Sequence, residues 1–298
     1  NSGFFLQQNQ DNLHKNFQFN DLDYEISQAD YTKNIAYIKE KIRNGETFQT
    51  VYSQRLSTSY SGDPYEVYLR LREINPSPYL FFIDIGGYQV FGSSPETLIS
   101  VHQNIVRTFP IAGTRRLGTP EEREFLKQEL LNDPKEQAEH NMLVDLGRND
   151  LGKVCKFGTV HVPRYMEPQE FSHVIHLVSV VEGQLRDDKD LIDAFRAVFP
   201  AGTVSGAPKI RSMEIIDELE KMRRGPYAGA VGYLSFNARM DLAIAIRTFY
   251  TVKNRLYLQA GGGIVIDSNP IREYEETKHK LQALLTALDQ TKTKEAIT

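Results

Sequence analysis

Apolar residues follow helical spacing in some stretches of this chain and form short runs in others, and the switches between the two mark its elements. Behind Asp30, Ile35, Ile38 and Ile42 share one helical face until Gly45, which predicts a helix from Asp30 to about Asn44. Thr119-Pro120-Glu121-Glu122 reads as a capping box with proline at the first helical position, opening a helix that runs to about Asn132. Asp133-Pro134 restarts a second helix, to about Asn149. Two more are expected, after Pro208 and from Pro270 to about Asp289. Between them, Phe81–Ile85 and Tyr88–Phe91 flank Gly86-Gly87, and Leu242–Val252 and Arg255–Gln259 flank Lys253-Asn254. Links this short join antiparallel strands, because parallel ones need long crossovers. Hairpins interrupted by helices predict an α+β fold and not a doubly wound sheet. No linker is evident after residue 30. The expected organisation is an arm or remnant of a larger N-terminal segment at 1–30, one domain at 31–290, and a tail at 291–298.

Composition narrows the function classes. The chain has 298 residues, 40% of them hydrophobic, with 16 Phe and 15 Tyr, enough for a sizeable core. A net charge of −4 without a long basic block argues against nucleic acid or an anionic membrane as the main partner. Cys155 is the lone cysteine, which excludes an internal disulfide and fits a reducing compartment. The first thirty residues lack an apolar signal core and no stretch is long enough to span a bilayer, so a cytoplasmic protein is expected.

Charge then turns up where apolar residues are expected. On the helix from Pro134, Glu136 and Glu139 fall in the same stripe as Leu143 and Leu146. On the last helix, Glu273, Glu276 and Lys280 line up with Leu284 and Ala287 near the edge of the buried side. Charges rarely enter a core unless paired or metal-bound. Two Glu-x-x-Glu pairs can converge on a hard cation such as Mg2+, which takes oxygen ligands and binds substrate anions as well. The same pattern also occurs on solvated helix faces, and Glu136 and Glu273 suit first-turn positions without any metal. Arg247 interrupts the apolar run Leu242–Phe249 and offers a fork suited to a carboxylate, unless it is a strand residue facing water. His176, in Val174-Ile175-His176-Leu177-Val178, is either an acid–base group or a satisfied core histidine. Gly261-Gly262-Gly263 follows a strand and lets backbone N–H groups approach an anion, or simply forms a bulge or turn. Ala201–Lys209 lacks the spacing of a nucleotide phosphate loop.

Five segments carry a resemblance. They are Pro110-Ile111-Ala112-Gly113-Thr114-Arg115, Ala138–Leu146, Arg148-Asn149-Asp150-Leu151-Gly152, Pro200–Lys209 and Glu273-Tyr274-Glu275-Glu276-Thr277 with Lys280. In this order, across about residues 31–288, they resemble the chorismate-utilising enzymes. The resemblance implies two packed antiparallel β-sheets flanked by helices. It implies an Mg2+ site of Glu136, Glu139, Glu273 and Glu276, with Glu139 and Glu276 the closer ligands. Tyr227, Arg247, Lys280 and the Gly261, Gly262 and Gly263 backbone would hold the pyruvyl carboxylate of chorismate. Gly113 and Thr203 would contact substrate, and His176 would assist pyruvate elimination.

Two positions separate the branches of the family. Gln49 stands where isochorismate and salicylate synthases carry a lysine that activates water, and an amide cannot take that proton. Ala112 stands where many aminodeoxychorismate synthases carry a nucleophilic lysine. Ammonia needs neither, and Thr114 is placed to manage its proton. The resemblance therefore implies the catalytic C-terminal portion of anthranilate synthase component I. This large subunit aminates chorismate at C2 and eliminates pyruvate to leave anthranilate, for tryptophan biosynthesis. Ammonia would come from a separate glutamine amidotransferase subunit. The other readings are aminodeoxychorismate synthase component I of the folate branch, isochorismate synthase, and an inactive chorismate-binding or partner-docking fragment. Asn75-Pro76-Ser77-Pro78-Tyr79 resembles half of a tryptophan feedback site and reads by itself as a rigid turn before a strand.

Overall fold

The computed structural model describes residues 17–171 and 174–292. In chain order the strands are β1 (Gln18–Phe19), β2 (Asp23–Tyr24), β3 (Gln49–Ser61), β4 (Tyr79–Asp84), β5 (Tyr88–Ser94), β6 (Thr97–His102), β7 (Ile105–Thr108), β8 (Ile111–Arg116), β9 (His161–Glu170), β10 (Val174–Gln184), β11 (Gly206–Ala207), β12 (Ala230–Ser235), β13 (Arg239–Ile244), β14 (Thr248–Val252) and β15 (Arg255–Ile264). The helices are α1 (Gln28–Arg43), α2 (Tyr65–Ile74), α3 (Arg123–Asn132), α4 (Pro134–Gly152), α5 (Leu191–Val198), α6 (Lys209–Leu219) and α7 (Pro270–Lys292).

The strands form two antiparallel sheets, as the α+β reading requires. One runs β1-β3-β15-β14-β5-β4, with β2 and β11 also on β3. The other runs β12-β13-β6-β7-β10-β8, with β9 also on β10. In the first sheet, β3 and β15 stay in register from Ser59 opposite Arg255 to Thr50 opposite Ile264. Leu56, Phe91, Phe249 and Leu258 of this sheet bury against Val67 and Leu71 of α2 and Leu281, Leu284 and Leu288 of α7. A second cluster joins Tyr52 and Ile264 to Tyr31, Ile35 and Ile38 of α1, Ile215 of α6 and Tyr274 of α7. The other sheet packs Ile99, Val106, Val181 and Leu242 against Val144 and Leu151 of α4, with Cys155 buried among them.

Helix ends follow local capping chemistry. The cap of α1 is Ser27, three residues before the expected Asp30, whose backbone N–H donates to the Ser27 hydroxyl at 3.1 Å. Asp133 caps α4 as expected, accepting from Lys135 N and Glu136 N. α3 starts only at Arg123. The Thr119 N–H does donate to Glu122 Oε2, at 3.0 Å, but Arg116 also grips the Glu122 carboxylate, at 2.8 and 2.7 Å, and 120–122 forms a turn.

The expected strand Leu242–Val252 is two strands in different sheets. β13 ends at Ile244, the chain crosses over, and β14 begins at Thr248. Both halves are buried, on either side of the charged Arg247. Arg247 sits at the crossover with φ +48°. Residues 17–30 of the expected arm join the domain: Phe17 is buried, its ring stacked on Tyr60, and β1 and β2 pair with β3. Residues 1–16 and most of the expected tail lie outside the described residues. Among the described residues no helix is long and apolar enough to cross a membrane.

Candidate active site

Two crossovers between the sheets lie side by side. One leads from β5 to β6 through Pro95 and Glu96, and the other leads from β13 to β14 through Arg247. Ile244 N donates to Glu96 O at 2.9 Å, Ser93 N to Arg247 O at 3.1 Å, and Ser94 Oγ to Ile244 O at 2.6 Å. This lacing sets one acid and one base beside each other. Glu96 Oε1 accepts from Thr203 Oγ1 at 2.7 Å. Burial pushes the Glu96 carboxyl up to about 7, against the Thr203 bond and the positive charges of Lys280 and Arg247. Burial likewise lowers the Arg247 guanidinium, opposed by Glu96. Arg247 makes no ion pair among the described residues, so its charge is desolvated and available to an anion.

The four glutamates face this region from two helices. Glu136 Oε1 accepts from Arg115 Nη1 at 3.2 Å, and Arg115 also holds Asp133 and Glu129, at 2.8 and 3.0 Å. Glu139 lies 3.7 Å from Lys135. On α7, Glu276 pairs with Lys280 at 2.7 Å, and Lys280 Nζ donates to Gly261 O at 3.0 Å. Gly261–Gly263 does not follow the strand as a turn or bulge but lies within β15, in register with Ser53, Tyr52 and Val51 of β3, and a Cβ at Gly262 would lie 3.4 Å from Glu273 Oε2 and 4.0 Å from Glu276 Oε1. Burial raises the Glu139 carboxyl, opposed by Lys135 and helped by the negative charges of Glu136 on the same helix and of Glu273 and Glu276 on α7. Burial also raises Glu273, with Glu276 adding to it and the Ser268 hydroxyl opposing. An all-oxygen donor set whose charges repel one another fits a hard divalent cation. Among the described residues no three such side chains are arranged to hold a metal ion as they stand, so chelation requires them to draw together.

The ladder between β8 and β10 slips between Ile175 and Leu177, and this irregularity falls at His176. Its Nδ1 meets Gly113 O at 2.7 Å and Thr114 Oγ1 at 3.2 Å, and Phe171 packs edge-on at 5.2 Å. A carbonyl accepts only, so Nδ1 carries the proton and Nε2 keeps its lone pair. Burial lowers the imidazole further and the Gly113 bond opposes it. His176 is thus a neutral base before it can be an acid. Gly113, at φ +70°, leaves no room for a side chain: a Cβ would come within 2.9 Å of Leu130 Cδ1 and 3.1 Å of Glu136 Oε2. At the far wall, burial raises the Tyr227 hydroxyl to about 12, and it accepts a hydrogen bond from the Gly261 backbone.

A family description, chorismate binding enzyme, matches residues 3–286. The chain belongs to the chorismate binding enzyme family. An anthranilate synthase component 1 from Acetivibrio thermocellus is 54% identical over 266 residues, covering 89% of this chain and 54% of that relative. The crystal structure of anthranilate synthase component I from Streptococcus pneumoniae TIGR4 matches with TM-score 0.83 at 49% identity, covering 89% of this chain and 59% of that one. The menaquinone-specific isochorismate synthase of Escherichia coli matches with TM-score 0.82 at 25% identity, covering 91% and 63%. The chain spans about half the length of the curated relatives it matches.

The two positions expected from sequence to separate the branches of the family, Gln49 and Ala112, lie on β3 and β8. Gln49 is buried on β3 beside Gly263, where a Cβ would come within 2.7 Å of its Nε2. Ala112 pairs with Leu177 next to His176. Asn75 ends α2, and Tyr79 opens β4, its hydroxyl donating to Asp241 Oδ1 at 2.7 Å. Of the residues singled out in sequence, the two glutamate pairs act on one another through Glu139, Gly262 abuts Glu273, Gly113 abuts Glu136, and the Arg247 charge reaches His176. Glu96 was missed, although a carboxylate between two apolar strands is the same signal that marked Arg247.

Proposed function

We propose that this chain is the chorismate-converting part of an anthranilate synthase. It aminates chorismate at C2 in an Mg2+-dependent reaction and then eliminates pyruvate to give anthranilate. The observation that carries this reading is that neither Gln49 nor Ala112 offers an amine at the cleft. Glu136, Glu139, Glu273 and Glu276 would hold the Mg2+, which as a Lewis acid supplies orientation and electron withdrawal at the ring carboxylate. Arg247, Tyr227 and the β15 backbone at Gly261–Gly263 bind the enolpyruvyl carboxylate, and Lys280 adds positive charge.

As ammonia adds at C2 the ring double bonds shift and the C4–oxygen bond breaks. Protonated Glu96 gives its proton to that oxygen, which leaves as water, while Thr203 holds the carboxylate in place. Thr114, whose hydroxyl lies 3.2 Å from His176 Nδ1, helps manage the proton that the new ammonium sheds. In the second step His176 Nε2 takes the proton from C2, the ring carbon–oxygen bond breaks, and the ring becomes aromatic. The departing enolate takes up a proton at its methylene carbon and becomes pyruvate. A separate glutamine amidotransferase subunit supplies the ammonia in the cytoplasm, and the Asn75–Tyr79 turn forms part of a tryptophan-responsive site.

Product identity tests this. Chorismate, Mg2+ and ammonium at alkaline pH should yield anthranilate. Accumulation of 4-amino-4-deoxychorismate would transfer the chain to the folate branch, and isochorismate would mean that Gln49 permits water attack.

A further inference from the structure

We propose that Asn75 positions the Arg247 guanidinium for the enolpyruvyl carboxylate, so that the turn beginning at Asn75 sets the affinity of the cleft for its dianionic substrate. This rests on the assignment of Arg247 made above. An arginine side chain is long and rotamer-rich, and binding is weakened by whatever freedom it must give up. Arg247 Nη1 donates to Asn75 Oδ1, at 3.4 Å.

The amide is itself held in one orientation. Asn75 Nδ2 donates to Ser93 Oγ at 3.3 Å, the Ser93 hydroxyl donates to Asn75 O, and Asn75 N donates to Leu71 O at 2.9 Å. With Nδ2 committed to Ser93, the amide presents its acceptor to Arg247. Ser93 N also donates to Arg247 O at 3.1 Å, so one unit fixes both the backbone and the side chain of Arg247. The far end of the turn is fastened as well: the Tyr79 hydroxyl lies 2.7 Å from Thr97 Oγ1, next in sequence to Glu96.

The choice of a neutral acceptor is the chemical core of the inference. A carboxylate at this place would orient the guanidinium equally well but would neutralise it, and an incoming carboxylate would have to displace it. The amide orients the charge and leaves it free.

Asn75→Asp tests this with almost no change of shape. Chorismate affinity would be measured by calorimetry with Mg2+ and without ammonia, beside anthranilate as a ligand lacking the enolpyruvyl carboxylate. The expected result is chorismate binding weakened about 10-fold or more, anthranilate binding within about 2-fold of the parent, and an unchanged melting curve. Asn75→Ala should weaken chorismate by a smaller factor. Equal weakening of both ligands, or unchanged chorismate binding in both variants while Arg247→Lys binds poorly, would overturn the positioning role. Unchanged chorismate binding by Arg247→Lys would instead remove the Arg247 assignment, and this inference with it.

Discussion

Replacing Glu96 by Gln should make the protein more stable and far less active, and the two effects have one cause. Burial lifts this carboxyl from an ordinary 4.5 to about 7. The folded chain therefore holds the Glu96 proton to higher pH than the unfolded chain does. Native stability from this group is intact below about pH 4.5 and drains away as pH rises to 7, where the ionised carboxylate must stay in its buried place. A displacement of this size corresponds to about 3 kcal/mol. Glu96 keeps some contact with the cleft, so the recoverable part is about 1–3 kcal/mol. Gln is isosteric and its carbonyl can keep the 2.7 Å bond from Thr203, so the substitution removes the charge and the proton without opening a cavity. Urea unfolding at pH 8 should show the variant more stable by about 1–3 kcal/mol, with the difference vanishing towards pH 4.5. Turnover, corrected for free ammonia, should fall by about 10²–10⁴ because the C4 oxygen loses its acid. A variant less stable than the parent at pH 8, or equally shifted at both pH values, would refute the account of Glu96 as a buried acid.

Other substitutions probe the rest of the cleft. Glu139→Gln should abolish Mg2+-dependent turnover while circular dichroism reports an unchanged fold, and activity at normal Mg2+ affinity would disprove the metal assignment. Gln49→Lys introduces a proton acceptor beside Gly263 and should raise isochorismate relative to anthranilate in a chromatographic product assay. Gly261→Ala puts a Cβ 2.9 Å from Tyr52 O and 3.1 Å from Tyr227 Oη, forcing β3 and β15 apart, and should cost about 1–3 kcal/mol in urea unfolding.

The parts of the fold legible in sequence are those governed by near neighbours. Asp133 caps α4 because its side chain reaches backbone N–H groups only two and three residues away. The turns at Gly86-Gly87 and Lys253-Asn254 join antiparallel strands because so few residues leave no other path. The edge position of Glu273 and Glu276 on α7 follows from helical geometry, with Tyr274, Thr277, Leu281 and Leu284 forming the buried face. Sequence reasoning failed at the crossovers. Leu242–Val252 is apolar apart from Arg247, Thr248 and Thr251, and the charge that marks the passage from one sheet to the other reads equally well in sequence as a strand residue facing water. Glu96, in the corresponding passage from β5 to β6, carries the same kind of signal, a charge between two apolar strands, and went unrecognised.

Sequence by itself determined five of the seven described helices, leaving out α2 and α5, the β4–β5 and β14–β15 hairpins, the two glutamate pairs, the membership those motifs imply, and the absence of an amine at Gln49 and Ala112. These are properties of residue type and of spacing over a few positions. Only the tertiary structure decided that Glu96 and Arg247 stand beside each other, that Asn75, 172 residues from Arg247, touches its guanidinium, and that Gly113 O directs the His176 proton to Nδ1. Those contacts join segments far apart in the chain, and their free energy depends on burial that exists only once both sheets have packed.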